Sequence, residues 1–212
     1  MKVEIWSDVM CPFCYIGKRK FENALAQFSK RDDIQVIWKS YQLSPHMRTD
    51  PSKNIHRYLA EHKGIDIEDA KRLNAHVTQM AERVGLLYNF DRSIVANSFN
   101  AHCLTHFAKV HGKQNEAEEG LFHAYFTEGK NIDDLSTLLQ LGAAIGLDTV
   151  ALKVALENRI YADDVIADIN EARQLGIQGV PFFVFNRKYA VSGAQEQALF
   201  LQTLEKSFLE FK

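Results

Sequence analysis

The sequence predicts an α/β protein in which a sheet domain is interrupted by a large all-helical insertion. Strand-like segments rich in β-branched and aromatic residues lie near the two chain ends, and the stretch between them carries helix signals with no convincing strand. With 212 residues, 46% apolar and 25% charged, and few glycines and prolines, the chain can bury a substantial core and carries no sign of long disorder. The sheet domain is assigned to residues 1–43 and 158–212 and the inserted helical domain to 44–157.

Val3 to Ser7 is a short strand, and the helix that follows shares one apolar face among Cys14, Gly17, Phe21, Leu25 and Phe28. A second strand is read from Ile34 to Leu43, after which Ser44-Pro45 and Asp50-Pro51 break the pattern. Helices then follow from Lys53 to Lys63 before Gly64, and from a cap at Asp66 to Val84 before Gly85, with Asp69 in the first turn. Further helices are expected from Ser93 to His111 before Gly112, from Gln114 to Thr127, and from a cap at Asp133 to Gly146. Shorter ones are read at Asp148 to Glu157 and Asp163 to Leu175. Two strands, Phe182 to Phe185 and Tyr189 to Val191, joined by a tight turn at Asn186-Arg187-Lys188, precede a closing helix from Gln195 to Phe211 with Leu199, Leu204 and Phe208 among its apolar positions.

The formal net charge of −2 gives no electrostatic footprint for nucleic acid. The basic run Lys18-Arg19-Lys20 reads as a solvated helix face. No segment approaches the roughly 18 apolar residues of a membrane helix, so no membrane association is expected. Met1 leads at once into a strand, which leaves no room for a signal peptide; for a complete chain this implies the cytosol, where a disulfide is more often catalytic than structural.

Two of the three cysteines sit three apart in "SDVMCPFCYIG", residues 7 to 17. The pair lies where a strand gives way to a helix, so Pro12 occupies the first turn, where its missing N–H costs nothing. Unsatisfied N–H groups and the positive end of the helix dipole favour a thiolate at Cys11, whereas Cys14 falls one turn further in on the buried face. Residues so spaced have Cα atoms about 5 to 6 Å apart, within disulfide range. Cys11 is therefore expected to attack from an exposed position and Cys14 to resolve from a shielded one. A structural zinc site is the rival reading, but it usually takes four ligands and no second pair is present. Cys103, with His102 and His106, could complete a site only if their helix folded over Cys11. Cys103 reads most simply as a small buried hydrophobe, and the two histidines as surface or boundary residues. Asp8 either caps a turn or assists proton transfer at Cys14.

Gly179-Val180-Pro181 precedes the strand at Phe182. A proline opening a strand does not disrupt the ladder, and the bond before it can be trans or cis. Taken together, "SDVMCPFCYIG", the helical insertion, "NSFNAH" and "GIQGVPFFVFNRKYAVSGAQ" resemble the DsbA family of the thioredoxin superfamily, in its FrnE-like branch of dithiol-disulfide isomerases. The resemblance implies a thioredoxin fold with a large helical insertion, a cytoplasmic thiol–disulfide oxidoreductase, Cys11 as nucleophile and Cys14 as resolving thiol. It also implies a cis peptide at Pro181 and a substrate strand pairing with the backbone of Val180. Pro12 and Phe13 fall at the substrate surface, Asn97 near the cleft, and Ser192 and Gly193 where glutathione-binding relatives hold part of that tripeptide.

Phe13 stands where periplasmic DsbA enzymes carry histidine, so a less oxidising couple is expected. Kappa-class glutathione transferases and 2-hydroxychromene-2-carboxylate isomerases have similar folds, so a glutathione-dependent isomerase or transferase is one alternative; they carry serine where Cys11 stands, and cysteine at both positions favours redox chemistry. A non-enzymatic zinc- or partner-binding module is the other. No bound cofactor or metal is expected beyond the redox-active Cys11–Cys14 disulfide, with glutathione as a possible co-substrate. The expected partners are thiol or disulfide proteins, and the chain is a monomer or homodimer.

Overall fold

The computed structural model describes residues 1–211. The chain divides into two compact units, one formed by Met1–Leu43 and the segment from Asp164 onward, the other by Ser44–Asp163.

The first unit is built on a four-stranded sheet of order β2-β1-β5-β6, from β1 (Lys2–Ser7), β2 (Gln35–Ser40), β5 (Phe182–Phe185) and β6 (Tyr189–Ser192). β1 runs parallel to β2, with Val3 opposite Val36 and Ile5 opposite Trp38, and antiparallel to β5, with Ile5 opposite Phe183. Parallel neighbours need a crossover, which α1 (Pro12–Gln27) supplies. The strand period of two sorts the side chains of β1. Val3 and Ile5 join Phe21, Phe28, Trp38, Phe183, Phe185, Phe200 and Leu204 in a core beneath α1 and α9 (Gln197–Leu209), while Trp6 joins Ala172, Ile177 and Val184 on the other face. In α9 it is Phe200 that is buried, and the neighbouring Leu199 is exposed. β2 is shorter than the sequence reading because β1 ends at Ser7 opposite Ser40; beyond that point the chain bonds singly, Tyr41 N–H to the Ser7 carbonyl at 2.9 Å and Leu43 N–H to Asp8 Oδ2 at 2.7 Å.

Helix α8 (Ala162–Gln174) is tied to the second face by charge. Asp168 accepts from Lys39 Nζ at 2.6 Å and from Ser40 N–H at 3.0 Å, and its carbonyl takes the Trp6 indole N–H at 3.0 Å. The three-residue β5–β6 loop has Asn186 and Arg187 at positive φ, as the central residues of a turn closed by Lys188 N–H on the Phe185 carbonyl at 3.0 Å, and Arg187 pairs with Glu4 and Glu171. The basic run is not a solvated face: Lys18 is 1% exposed with its ammonium 2.6 Å from Glu22, and Lys20 bonds Glu196 at 2.6 Å.

The second unit holds α2 (Ile55–Lys63), α3 (Ile67–Glu82), α4 (Phe99–Val110), α5 (Gln114–Phe126), α6 (Leu135–Ala144) and α7 (Thr149–Glu157). It also contains strands that the sequence reading lacks: β3 (Asp50–Asn54) pairs antiparallel with β4 (Ile94–Val95). Residues 93–98 therefore belong to this ribbon and its exit rather than to α4. Asp66 caps α3 as expected, accepting from Asp69 N–H at 2.7 Å. The cap of α6 is Asp134, which accepts from Thr137 N–H at 2.9 Å, because the Asp133 carboxylate is engaged by Thr49 at 2.5 Å and Asn100 at 2.7 Å. The unit extends past 158 to Asp163 because Ile160 N–H closes on the Ala155 carbonyl at 2.9 Å and the Tyr161 ring packs edge-on against Phe107. Cys103 is buried, and so are His102 and His106, which the sequence reading puts at the surface or the boundary. Among the described residues no helix is long and apolar enough to cross a membrane, and no three His, Cys, Asp or Glu converge as metal ligands.

Candidate active site

Cys11 is the N-cap of α1, in extended backbone at φ −89° and ψ 113°, and Pro12 is the first helical residue. The chain turns into the helix through two bonds: Cys11 N–H to the Asp8 carbonyl at 2.9 Å and Cys14 N–H to the Cys11 carbonyl at 3.0 Å. Both thiols are free. Cys14 lies on the inner face with 1% of its surface exposed, in the shielded position the helical spacing predicts. Cys11 departs from the expectation of an exposed sulfur: it is 3% exposed because the loop before β5 lies over it, and its thiol donates to the Val180 carbonyl oxygen at 3.6 Å. The exposed group of the motif is Phe13, at 39%.

Burial pushes the Cys14 thiol well above its ordinary range, and the neighbouring Cys11 sulfur adds to this through a hydrogen bond and its charge; the Asp8 backbone N–H and the Ser7 hydroxyl act in the opposite direction. Cys14 therefore holds its proton tightly in the dithiol. The Asp8 carboxylate is directed elsewhere, holding Leu43 N–H and, at 3.4 Å, Met10 N–H, so it braces the turn.

The Val180-Pro181 peptide is cis. Pro181 is fixed from two sides: its carbonyl accepts Gly193 N–H at 2.8 Å, and its ring lies against Gly17 of α1, where a Cβ would come within 2.9 Å of Pro181 Cγ. Gly17 is thus a site residue that the sequence reading treats only as part of an apolar face; the available signal is a glycine inside a helix, which costs about 1 kcal/mol and marks a close approach. Ser192 pairs with Phe182 across the β5–β6 ladder, and Gly193 follows at φ 81°. The fold thus gathers Cys11, Pro12, Phe13, Cys14, Val180, Pro181, Ser192 and Gly193 at one end of the sheet. Asn97 belongs to the helical unit, where its side chain donates to the Met47 carbonyl at 2.7 Å and accepts Phe99 N–H at 2.8 Å, bracing the start of α4.

Comparison with known proteins agrees with this fold. The model of the DSBA-like thioredoxin domain matches residues 2–205. The uncharacterised protein YwbO of Bacillus subtilis is 31% identical over 196 residues, covering 86% of this chain and 85% of its own. The crystal structure of a probable DsbA oxidoreductase from Streptomyces coelicolor, 36% identical, superposes with a TM-score of 0.93 over 99% of this chain and 91% of its own. The cytosolic disulfide reductase DsbM from Pseudomonas aeruginosa, solved with glutathione, shares the fold at 18% identity, with a TM-score of 0.66 over 100% of this chain and 98% of its own. The chain belongs to the DSBA-like thioredoxin domain family, and this family together with its DsbA-type relatives marks it as an enzyme of the thiol–disulfide oxidoreductase or isomerase kind.

Proposed function

We propose that this protein is a thiol–disulfide oxidoreductase or isomerase working through Cys11 and Cys14, of the FrnE-like branch of its family. The observation that carries this is one juxtaposition: Cys11 at the helix N-terminus against Val180 O at 3.6 Å, with the protonated Cys14 one turn behind it. In the reaction, the Cys11 thiolate attacks a substrate disulfide R–S–S–R′, forms Cys11–S–S–R and releases R′–SH after proton uptake. Cys14 then displaces R–SH and closes the Cys11–Cys14 disulfide, which a second dithiol or glutathione returns to the dithiol. The substrate docks as an extended segment along Val180 and Pro181, against the apolar Pro12 and Phe13, with Ser192 and Gly193 at the margin. Cysteine at position 11, where the glutathione-dependent isomerases carry serine, favours redox chemistry. A reducing compartment such as the cytosol suits the couple, since Phe13 stands where the strong oxidants carry histidine.

The test is insulin-disulfide reduction and a glutathione redox titration. Cys11→Ser abolishes turnover, and Cys14→Ser accumulates mixed disulfides visible by mass. The titration is expected to give a potential nearer about −270 mV than about −120 mV. Full activity in Cys11→Ser would overturn the assignment.

A further inference from the structure

Ser7 ends β1, is 1% exposed, and its hydroxyl oxygen finds no hydrogen-bond partner among the protein's other groups. A buried hydroxyl without a partner is costly and calls for an explanation; Ser98 and Ser207 carry such hydroxyls too, and what sets Ser7 apart is its neighbour. This one lies against the Cys14 sulfur, and the backbone N–H of the next residue, Asp8, is aimed at the same atom. The two donors therefore converge on a sulfur that burial otherwise disfavours as an anion.

We propose that Ser7 is a catalytic donor specific to the resolving half of the exchange: with the Asp8 N–H it forms a cradle for the Cys14 thiolate. The inference rests on the redox reading of Cys11 and Cys14. In the mixed disulfide Cys11–S–S–R, Cys14 gives up its proton and its sulfur attacks Cys11 Sγ; the Cys11–Cys14 bond forms, the bond to R breaks, and R–S⁻ takes a proton to leave as R–SH. As negative charge gathers on Cys14 before attack, the Ser7 O–H turns from an unpartnered group into a charge-assisted donor. The first attack, by Cys11, draws nothing from it. Losing one hydrogen bond to a charged group corresponds to about tenfold to a hundredfold in an equilibrium or rate.

The decisive experiment compares Ser7→Ala and Ser7→Gly with the parent in two assays. In a Cys11→Ala background, iodoacetamide alkylation of Cys14 is followed against pH; removing the hydroxyl is expected to move the profile up by about one pH unit, a tenfold slower reaction at fixed pH. In the full protein, single-turnover reaction with a disulfide peptide should show the first phase unchanged within about twofold and the second slowed about tenfold or more, with mixed disulfide accumulating. Ser7→Thr, which keeps the hydroxyl, should restore both. Superposable Cys14 profiles with and without the hydroxyl, or equal slowing of both phases, would overturn the proposal. Failure of the redox reading itself has a separate signature, retained turnover in Cys11→Ser, and the alkylation profile does not depend on turnover.

Discussion

Gly17→Ala sets two ordinary effects against each other at one atom. In a helix interior alanine is favoured over glycine by about 1 kcal/mol. The new Cβ, however, would stand 2.9 Å from Pro181 Cγ and 3.4 Å from Phe183 Cζ. Reaching ordinary contact with Pro181, from 2.9 to 3.4 Å, requires a displacement of about 0.5 Å. Neither neighbour yields freely: the Pro181 carbonyl is held by Gly193, and Phe183 is fully buried between Phe21 and Phe200, with ring centroids at 5.5 and 4.6 Å. Overpacking of this kind costs about 1 to 3 kcal/mol, so the net effect is a loss of about 0 to 2 kcal/mol. For a chain of this size that lowers the melting temperature by up to about 8 °C. The displacement falls on the loop that carries Val180, so the rate with a disulfide peptide is expected to fall on the order of tenfold, since misplacement by 1 Å can cost about a hundredfold. Thermal melts and second-order rates of the purified variant check both numbers. A variant more stable by about 1 kcal/mol with an unchanged rate would refute the reasoning, because it would mean that the loop moves aside without cost.

Asp168→Ala should destabilise by about 3 kcal/mol, since it leaves Lys39 without its nearest carboxylate and the buried Ser40 N–H unpaired; a loss of unfolding free energy in urea titration below about 1 kcal/mol would contradict this. The reduced protein should lose stability as pH rises above about 8.5, by up to about 1.4 kcal/mol per pH unit, because the unfolded chain sheds the Cys14 proton at the ordinary thiol value while the folded chain, with Cys14 pushed upward, retains it. The oxidised protein has no such proton, so urea midpoints of the two forms between pH 7.5 and 9.5 should diverge only in slope on the alkaline side; parallel curves would exclude the effect.

Near-neighbour features were the most legible in the chain. β5 falls where its aromatic run puts it, Asp66 caps the helix it precedes, and the proline at the start of α1 brings two cysteines to one helix end. Each depends on interactions within a few residues, so periodicity, capping chemistry and spacing suffice to find it. The pairing of β3 with β4 was not legible, because Asp50-Pro51-Ser52-Lys53-Asn54 has no strand propensity of its own and takes extended form only opposite a segment some forty residues away. The choice of Asp134 over Asp133 as a cap likewise turned on Thr49 and Asn100, remote contacts that occupy the nearer carboxylate.

The same division runs through the site. Local sequence set the identity, the spacing and the helix-end position of Cys11 and Cys14, because a strand-to-helix corner is made by its own residues. Tertiary structure decided that Cys11 lies beneath Val180, that Gly17 admits Pro181, that Lys18 is buried and that Ser7 meets Cys14. Burial and close approach depend on which distant segments arrive at a surface, and no residue's own chemistry specifies that.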